Sequence, residues 1–291
     1  MDILTNYTFQ IVALGSVLLA VAAAPVGAFS VYKGQSLIGD AIGHSTFPGI
    51  ILAYMAFATR SPVILLAGAI LAGAASYALI QLAHRDKRLG LDANLAIFLS
   101  GFFGLGMALK SFIQGNPDYA GASQAGLGTY IFGQAAYMLE ADVLLIAAIS
   151  ALVLTLLLLF YKELKLFVFD AEYAEVVGLP CRLLNLLLLV MTIAVIGIGI
   201  KAVGAILISS FLIIPCVAAN QWSNNFARVL LLSSLIGAVS ALVGTYISTL
   251  EQGMSTGSSI ILVASLIAFF SIVFGTKGIL GSVLKRRRTH G

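Results

Sequence analysis

Charge is scarce in this sequence: Lys, Arg, Asp and Glu make up only 10% of its 291 residues, while 60% are hydrophobic. So few charges cannot cover a water-exposed surface, and the apolar runs reach the roughly 20 residues that span a hydrocarbon core, which excludes a soluble domain. Cysteine is nearly absent too. Cys181 and Cys216 stand alone, form no disulfide framework and no C-x-x-C metal motif, and are expected to remain reduced thiols. The three histidines, His44, His84 and His290, are too dispersed for a catalytic zinc site, and neither H-E-x-x-H nor G-x-S-x-G occurs. An ATP-binding P-loop is missing as well: the nearest approach, Gly104 to Ser111, has Leu109 where the second glycine is required. No Lys or Arg precedes the first apolar run, so no secretory signal is expected.

What is present is a set of continuous apolar stretches divided by brief polar breaks, the pattern of membrane helices rather than of short alternating barrel strands. The expected fold is all-α, a polytopic helical membrane protein forming one transmembrane domain over 1–291. Spans are expected at roughly 8–31, 36–58, 62–83, 93–113, 142–161, 182–200, 204–219, 228–250 and 258–279, about nine crossings, with a re-entrant segment within 182–219 as the alternative. The basic tail at 280–291, carrying Lys285, Arg286, Arg287 and Arg288, is expected in the cytoplasm. Lys33, Arg85, Lys87, Arg88, Lys162, Lys165, Arg182 and Arg228 then fall on the same side and the N-terminus outside. The Gly115–Gln134 and Glu251–Met254 loops carry no Lys or Arg and face outward; Arg60, Lys110 and Lys201 are exceptions to the bias. The net charge of +4 thus reports orientation in a membrane, and nucleic acid is not an expected partner.

Two residues break the apolar rule most sharply. Asp40 and His44 lie in SLIGDAIGHSTFPGIILAYM (Ser36 to Met55), where a carboxylate costs about 2.5–3.5 kcal/mol on insertion scales and needs a partner, a cavity or an ion. Four residues apart on a helix, they share one face and could converge on one cation; a carboxylate with an imidazole suits divalent Mn, Zn or Fe. Pairing with each other or with serines in a packing network is the plainer reading of the same spacing. Asp92 and Asn94 read as caps of the fourth span, and Gly101, Gly104 and Gly106 as residues that admit close helix packing. A second break, at about 162–181, contains Asp170–Val177, a short amphipathic helix with Phe169, Tyr173, Val176 and Val177 on one side and Glu172 and Glu175 on another. Gly178 and Pro180 stop it. Composition alone favours an interfacial helix lying on lipid headgroups, while its acidic face suits a protein groove better than anionic lipid and gives the reading of a docking surface for a soluble partner.

Several stretches resemble the permease subunits of manganese, zinc and iron ATP-binding cassette (ABC) importers. Gly39-Asp40-Ala41-Ile42-Gly43-His44 through Pro48-Gly49 is similar to their G-D-A-x-x-H-x-x-x-P-G signature, with Gly43 in place of the more usual Ser. Phe169-Asp170 through Gly178-Leu179-Pro180 resembles their coupling segment, Ala202 to Leu207 with Ile213-Ile214-Pro215 their A-V-G-x-L-L…I-I-P span, and Gln124 to Ala136 an external element of the manganese- and iron-like branch. The resemblance implies a type II-like importer permease in a bacterial cytoplasmic membrane. It implies a second permease subunit, identical or a sister chain, a cytoplasmic ATPase that carries out ATP hydrolysis, and an extracellular or periplasmic metal-binding protein. Asp40 and His44 become the metal pair, Asp170, Glu172, Tyr173, Glu175, Gly178, Leu179 and Pro180 the ATPase-coupling residues, and Pro48, Gly49, Gly204 and Pro215 the places where helices break and move. No tightly bound cofactor is expected, only a transported divalent ion with manganese favoured. The alternatives are an ion-gradient-driven transporter or channel, and a permease for chelated metal such as a siderophore or corrinoid.

Overall fold

Where lipid offers no hydrogen-bond partner, a chain this apolar must satisfy its backbone internally, and it does so in helices. The computed structural model describes residues 6–59, 61–84, 90–116, 119, 138–250 and 254–280, and among these the regular elements are eleven helices with no strand. They are α1 (Tyr7–Tyr32), α2 (Ile38–Phe57), α3 (Pro62–His84), α4 (Leu91–Gly115), α5 (Glu140–Leu159), α6 (Tyr161–Phe169), α7 (Ala171–Val176), α8 (Cys181–Val203), α9 (Ala205–Asn220), α10 (Phe226–Leu250) and α11 (Thr256–Phe274). Seven are long and apolar enough to cross a membrane: α1, α3, α4, α5, α8, α10 and α11. The protein is thus a multi-pass helical membrane protein. Of the nine stretches expected to cross, the other two are α2, twenty residues diluted by Asp40, His44, Ser45, Thr46 and Pro48, and α9, only sixteen residues long.

The stretch at 182–219 is a helical hairpin. Gly204, at φ 88° and ψ 162°, ends α8 and opens α9, a backbone conformation that only glycine adopts without strain. The chain reverses there so sharply that a methyl group on Gly199 would lie 2.7 Å from the Ile208 side chain. The span expected at 142–161 ends at Leu159, and Tyr161 opens the separate helix α6.

The bundle is organised around α1, whose Leu19, Ala20, Ala22, Ala23 and Ala24 are fully buried. Pro25 deprives the Val21 carbonyl of its helical partner, and Ser234 of α10 donates its hydroxyl to that carbonyl at 3.1 Å. Small residues bring the neighbours in. A methyl group on Gly27 would lie 1.9 Å from the Leu212 carbonyl oxygen of α9, and one on Gly49 2.2 Å from that of Gly68 in α3. Across the α2–α3 contact Ser45 also donates to the Ser76 hydroxyl at 2.7 Å. Gly106 packs against Phe47 and Pro48, as expected, but Gly101 and Gly104 face open space within the subunit: they lie on the side of α4 away from α2 and do not serve packing there.

Candidate metal-ion site and coupling segment

A five-residue turn leads from α1 into α2, and Asp40 sits in the first turn of α2. The unpaired N–H groups there favour a carboxylate by about 0.3–1 kcal/mol. His44 follows one turn on, its Nε2 3.4 Å from Asp40 Oδ1. Two donors each about 2.1 Å from one ion at a tetrahedral angle stand about 3.4 Å apart, so the pair already has a chelating separation. The Ser209 hydroxyl on α9 hydrogen-bonds Asp40, and the Phe103 ring on α4 meets the His44 ring edge to face with centroids 5.0 Å apart. These neighbours hold the donors without enclosing them: 30% of the Asp40 side chain and 18% of that of His44 remain exposed. No cluster of three or more His, Cys, Asp or Glu occurs among the described residues, so one subunit offers this two-residue chelate.

The depth of the pair has a different origin from a helix running inward from Lys33, because residues 33–37 are not helical. Neighbouring helices set it instead. Ser209 lies eleven residues before the end of α9, about 16 Å, and Phe103 twelve residues after the start of α4, about 18 Å. Asp40 is thus at the beginning of its own helix and yet deep within the bundle. Asn94 does not join it: nine residues from Phe103, it lies about 13 Å along α4, buried with its amide nitrogen unpaired. Nor do Asp92 and Asn94 cap α4, whose N-cap is Gly90. The helix begins two residues earlier than the apolar pattern suggests and leaves both inside its first turn and a half. α2 runs unbroken through Pro48 and Gly49, which pack against Gly106 of α4 and Gly68 of α3, and α9 runs unbroken through Pro215; of the four expected break points only Gly204 ends a helix.

The short amphipathic helix expected at 170–177 is α7, one residue shorter at each end. Asp170 is the N-cap of α7, its carboxylate accepting the Tyr173 N–H at 2.9 Å, and Phe169 belongs to α6. At the other end Gly178, at φ 88°, donates to the Glu175 carbonyl while the Leu179 N–H reaches the Ala174 carbonyl at 2.9 Å, a Schellman cap just ahead of Pro180. Both ends are thus fixed by local hydrogen bonds. Ala174 is the buried residue of α7, while Tyr173, Val176 and Val177 are exposed, with Glu172 and Glu175 beside them. Apolar side chains presented outward with carboxylates form a surface that one subunit leaves uncovered.

Sequence reasoning missed the polar chain between these two features. Lys33, read only as a topological marker, hydrogen-bonds Asn185 of α8 and lies 4.8 Å over the Phe167 ring of α6. Burial brings its ammonium down to about 8. Ser209 was missed as well, since the Ser209-Ser210 pair in an apolar helix gives no signal of what either hydroxyl faces.

Comparison with known proteins fits this architecture. The ABC 3 transport family matches residues 5–275. The chain belongs to this family. It is 39% identical over 289 residues to the zinc transport system membrane protein TroC of Treponema pallidum (strain Nichols), covering 99% of this chain and 96% of that one. It is 38% identical over 285 residues to the manganese transport system membrane protein MntC of Bacillus subtilis (strain 168), covering 96% of this chain and 65% of that longer protein. The solved structure of PsaBC from Streptococcus pneumoniae in complex with Fab superposes with a TM-score of 0.81 at 27% identity, over 94% of each chain. The resemblance to metal importer permeases therefore holds at the level of family, and this ABC 3 chain is a transport subunit, not an enzyme. The Gly115–Gln134 and Glu251–Met254 loops, the Gln124–Ala136 element and the basic tail fall wholly or mostly outside the described residues.

Proposed function

We propose that this chain is the permease subunit of an ATP-driven importer that moves a divalent transition-metal ion, manganese in the first place and zinc or iron in the second, past Asp40 and His44 into the cytoplasm. The observation that carries the reading is the Asp40–His44 pair itself, set at chelating separation deep in the bundle, braced by Ser209 and Phe103 and still partly open. Zinc and manganese in the names of the two relatives support a divalent cargo. A two-donor site suits a conduit, since an ion held by an incomplete shell can leave as well as enter. A second permease subunit across the open side would add donors from its own copy of the pair.

In this reading α7 docks on a cytoplasmic ATPase through Asp170, Glu172, Tyr173, Glu175, Gly178, Leu179 and Pro180. An extracellular or periplasmic metal-binding protein delivers the ion at the opposite end. The positions of Lys33, Asn185, Asn220 and α7 at one end of the bundle, and of Tyr7, Glu140, Ser248 and Thr256 at the other, support one cytoplasmic and one external face. With α2 and α9 counted, nine spans place the N-terminus outside and the tail inside. Gly204 absorbs movement between α8 and α9, while Pro48 with Gly49 and Pro215 bend helices that stay continuous. The test is ATP-dependent uptake of radioactive manganese, with zinc as competitor, in cells carrying the whole transporter. Asp40→Ala and His44→Ala, inserted normally and bound to the ATPase, are expected to lose uptake by about tenfold or more. Full uptake in both variants would sink the metal pair and favour a chelated cargo.

A further inference from the structure

We infer that Lys33 is a positioning residue that carries movement of the coupling segment to the metal pair, an inference that rests on the chain's being an ATP-driven permease. Lys33 caps the C-terminus of α1 and sits where four elements meet. Its ammonium lies 4.8 Å over the Phe167 ring of α6 and hydrogen-bonds the Asn185 side-chain oxygen of α8. Asn185 in turn donates to the Tyr77 hydroxyl of α3 at 3.0 Å, which also accepts from Gln81 at 2.7 Å. Beside it, the Tyr32 ring is 5.4 Å from that of Phe169, the residue directly before the Asp170 cap of α7. The end of α1 is therefore gripped by two aromatic residues of the helix that leads into the docking surface.

The other side of Lys33 leads to Asp40 without slack. The Gly34 N–H bonds the Val31 carbonyl, the Gln35 N–H that of Ser30 at 2.9 Å, and the Ile38 N–H that of Gln35 at 3.1 Å, so the turn is hydrogen-bonded from the last residues of α1 to the first of α2. A push on Lys33 reaches Ile38, and Asp40 is two residues further on. A cavity of about 10 Å³, room for no more than one water, borders Ile38 and Ile42 together with Gln35, Tyr77, Asn185 and Thr192, so the first turn of α2 lies directly beside this network. Packing alone does not require a cation here, since an aliphatic side chain would fill the same volume without losing hydration. What the ammonium adds is a bond to α6 and α8 at once.

The experiment uses the full transporter in proteoliposomes, with manganese as the probe ion and both ATP hydrolysis and ion uptake recorded. Lys33→Met is expected to keep basal hydrolysis and the KM for manganese while ions moved per ATP fall about fivefold or more, and stimulation of hydrolysis by the loaded binding protein is lost. Lys33→Arg, whose guanidinium can still stack on Phe167 and reach Asn185, restores both. A wild-type ratio of ions to ATP in Lys33→Met overturns the inference. If that variant fails to assemble, Phe167→Leu, which keeps the lysine and its bond to Asn185, decides by the same ratio: a reduced ratio supports the linkage and an unchanged one overturns it. Should the wild-type protein itself move no manganese, the functional reading falls separately, and the linkage is judged on stimulation of hydrolysis alone, full stimulation in Lys33→Met overturning it.

Discussion

At the scale of the residue, the chemistry of this protein is a contest between the cost of polar groups in an apolar bundle and the contacts that offset it. Asp40 is offset three times, by the N-terminus of α2, by His44 at 3.4 Å and by Ser209. The helix spacing of Asp40 and His44 is readable in the chain, while Ser209 arrives from about 170 residues away. Because an outer partner that orients a ligand is worth about 10–100-fold in metal affinity, Ser209→Ala is expected to raise the KM of manganese uptake about tenfold, with Ser209→Thr close to wild type. Equal KM values in all three proteins would show that the hydroxyl does not orient the carboxylate. Ser45 and Ser234 obey the same logic with another outcome, since each finds its partner across a helix contact, Ser76 in one case and the carbonyl orphaned by Pro25 in the other.

Among the helices, glycine has two opposite uses. At the α2–α3 crossing Gly49 and Gly68 meet backbone to backbone, so Gly49→Leu must push the helices apart, at a cost of about 1–3 kcal/mol for overpacking. Gly101 of α4 faces open space in the subunit, and Gly101→Ala is expected to hold stability level or raise it by about 0.5–1 kcal/mol through helix propensity. Melting of the two purified variants in detergent checks the contrast; a lower melting point for Gly101→Ala in the assembled transporter alone would show that another chain covers that face. Gly178 differs again, because its φ of 88° builds the cap of α7. Gly178→Ala is expected to cost about 1–2 kcal/mol locally and to weaken co-purification of the ATPase, whereas unchanged co-purification would mean that α7 docks without its cap.

For the whole molecule, the expectation concerns sidedness. In a Cys181→Ala background, Asn6→Cys is expected to react with a membrane-impermeant maleimide in intact cells and Asn224→Cys only after permeabilisation; the reverse pattern would invert the topology. Composition and the continuity of the apolar runs determined that the chain lives in a membrane and is helical, since in lipid the backbone must bond internally and a barrel would need short alternating strands. The order of residues determined the shared helix face of Asp40 and His44 and the stop of α7 at Gly178, because both depend on residues within one or two helical turns of each other. Only the tertiary structure decided that 182–219 folds back at Gly204, that Gly49 is clamped rather than loose, and that Asp40 opens a helix deep inside the bundle. It alone brought Ser209 to Asp40 and joined Lys33 to Phe167, Asn185 and Tyr77. Those outcomes depend on which helix packs against which, and in lipid that choice is made by close contact of small residues and by single interhelical hydrogen bonds, which leave almost no trace in hydropathy.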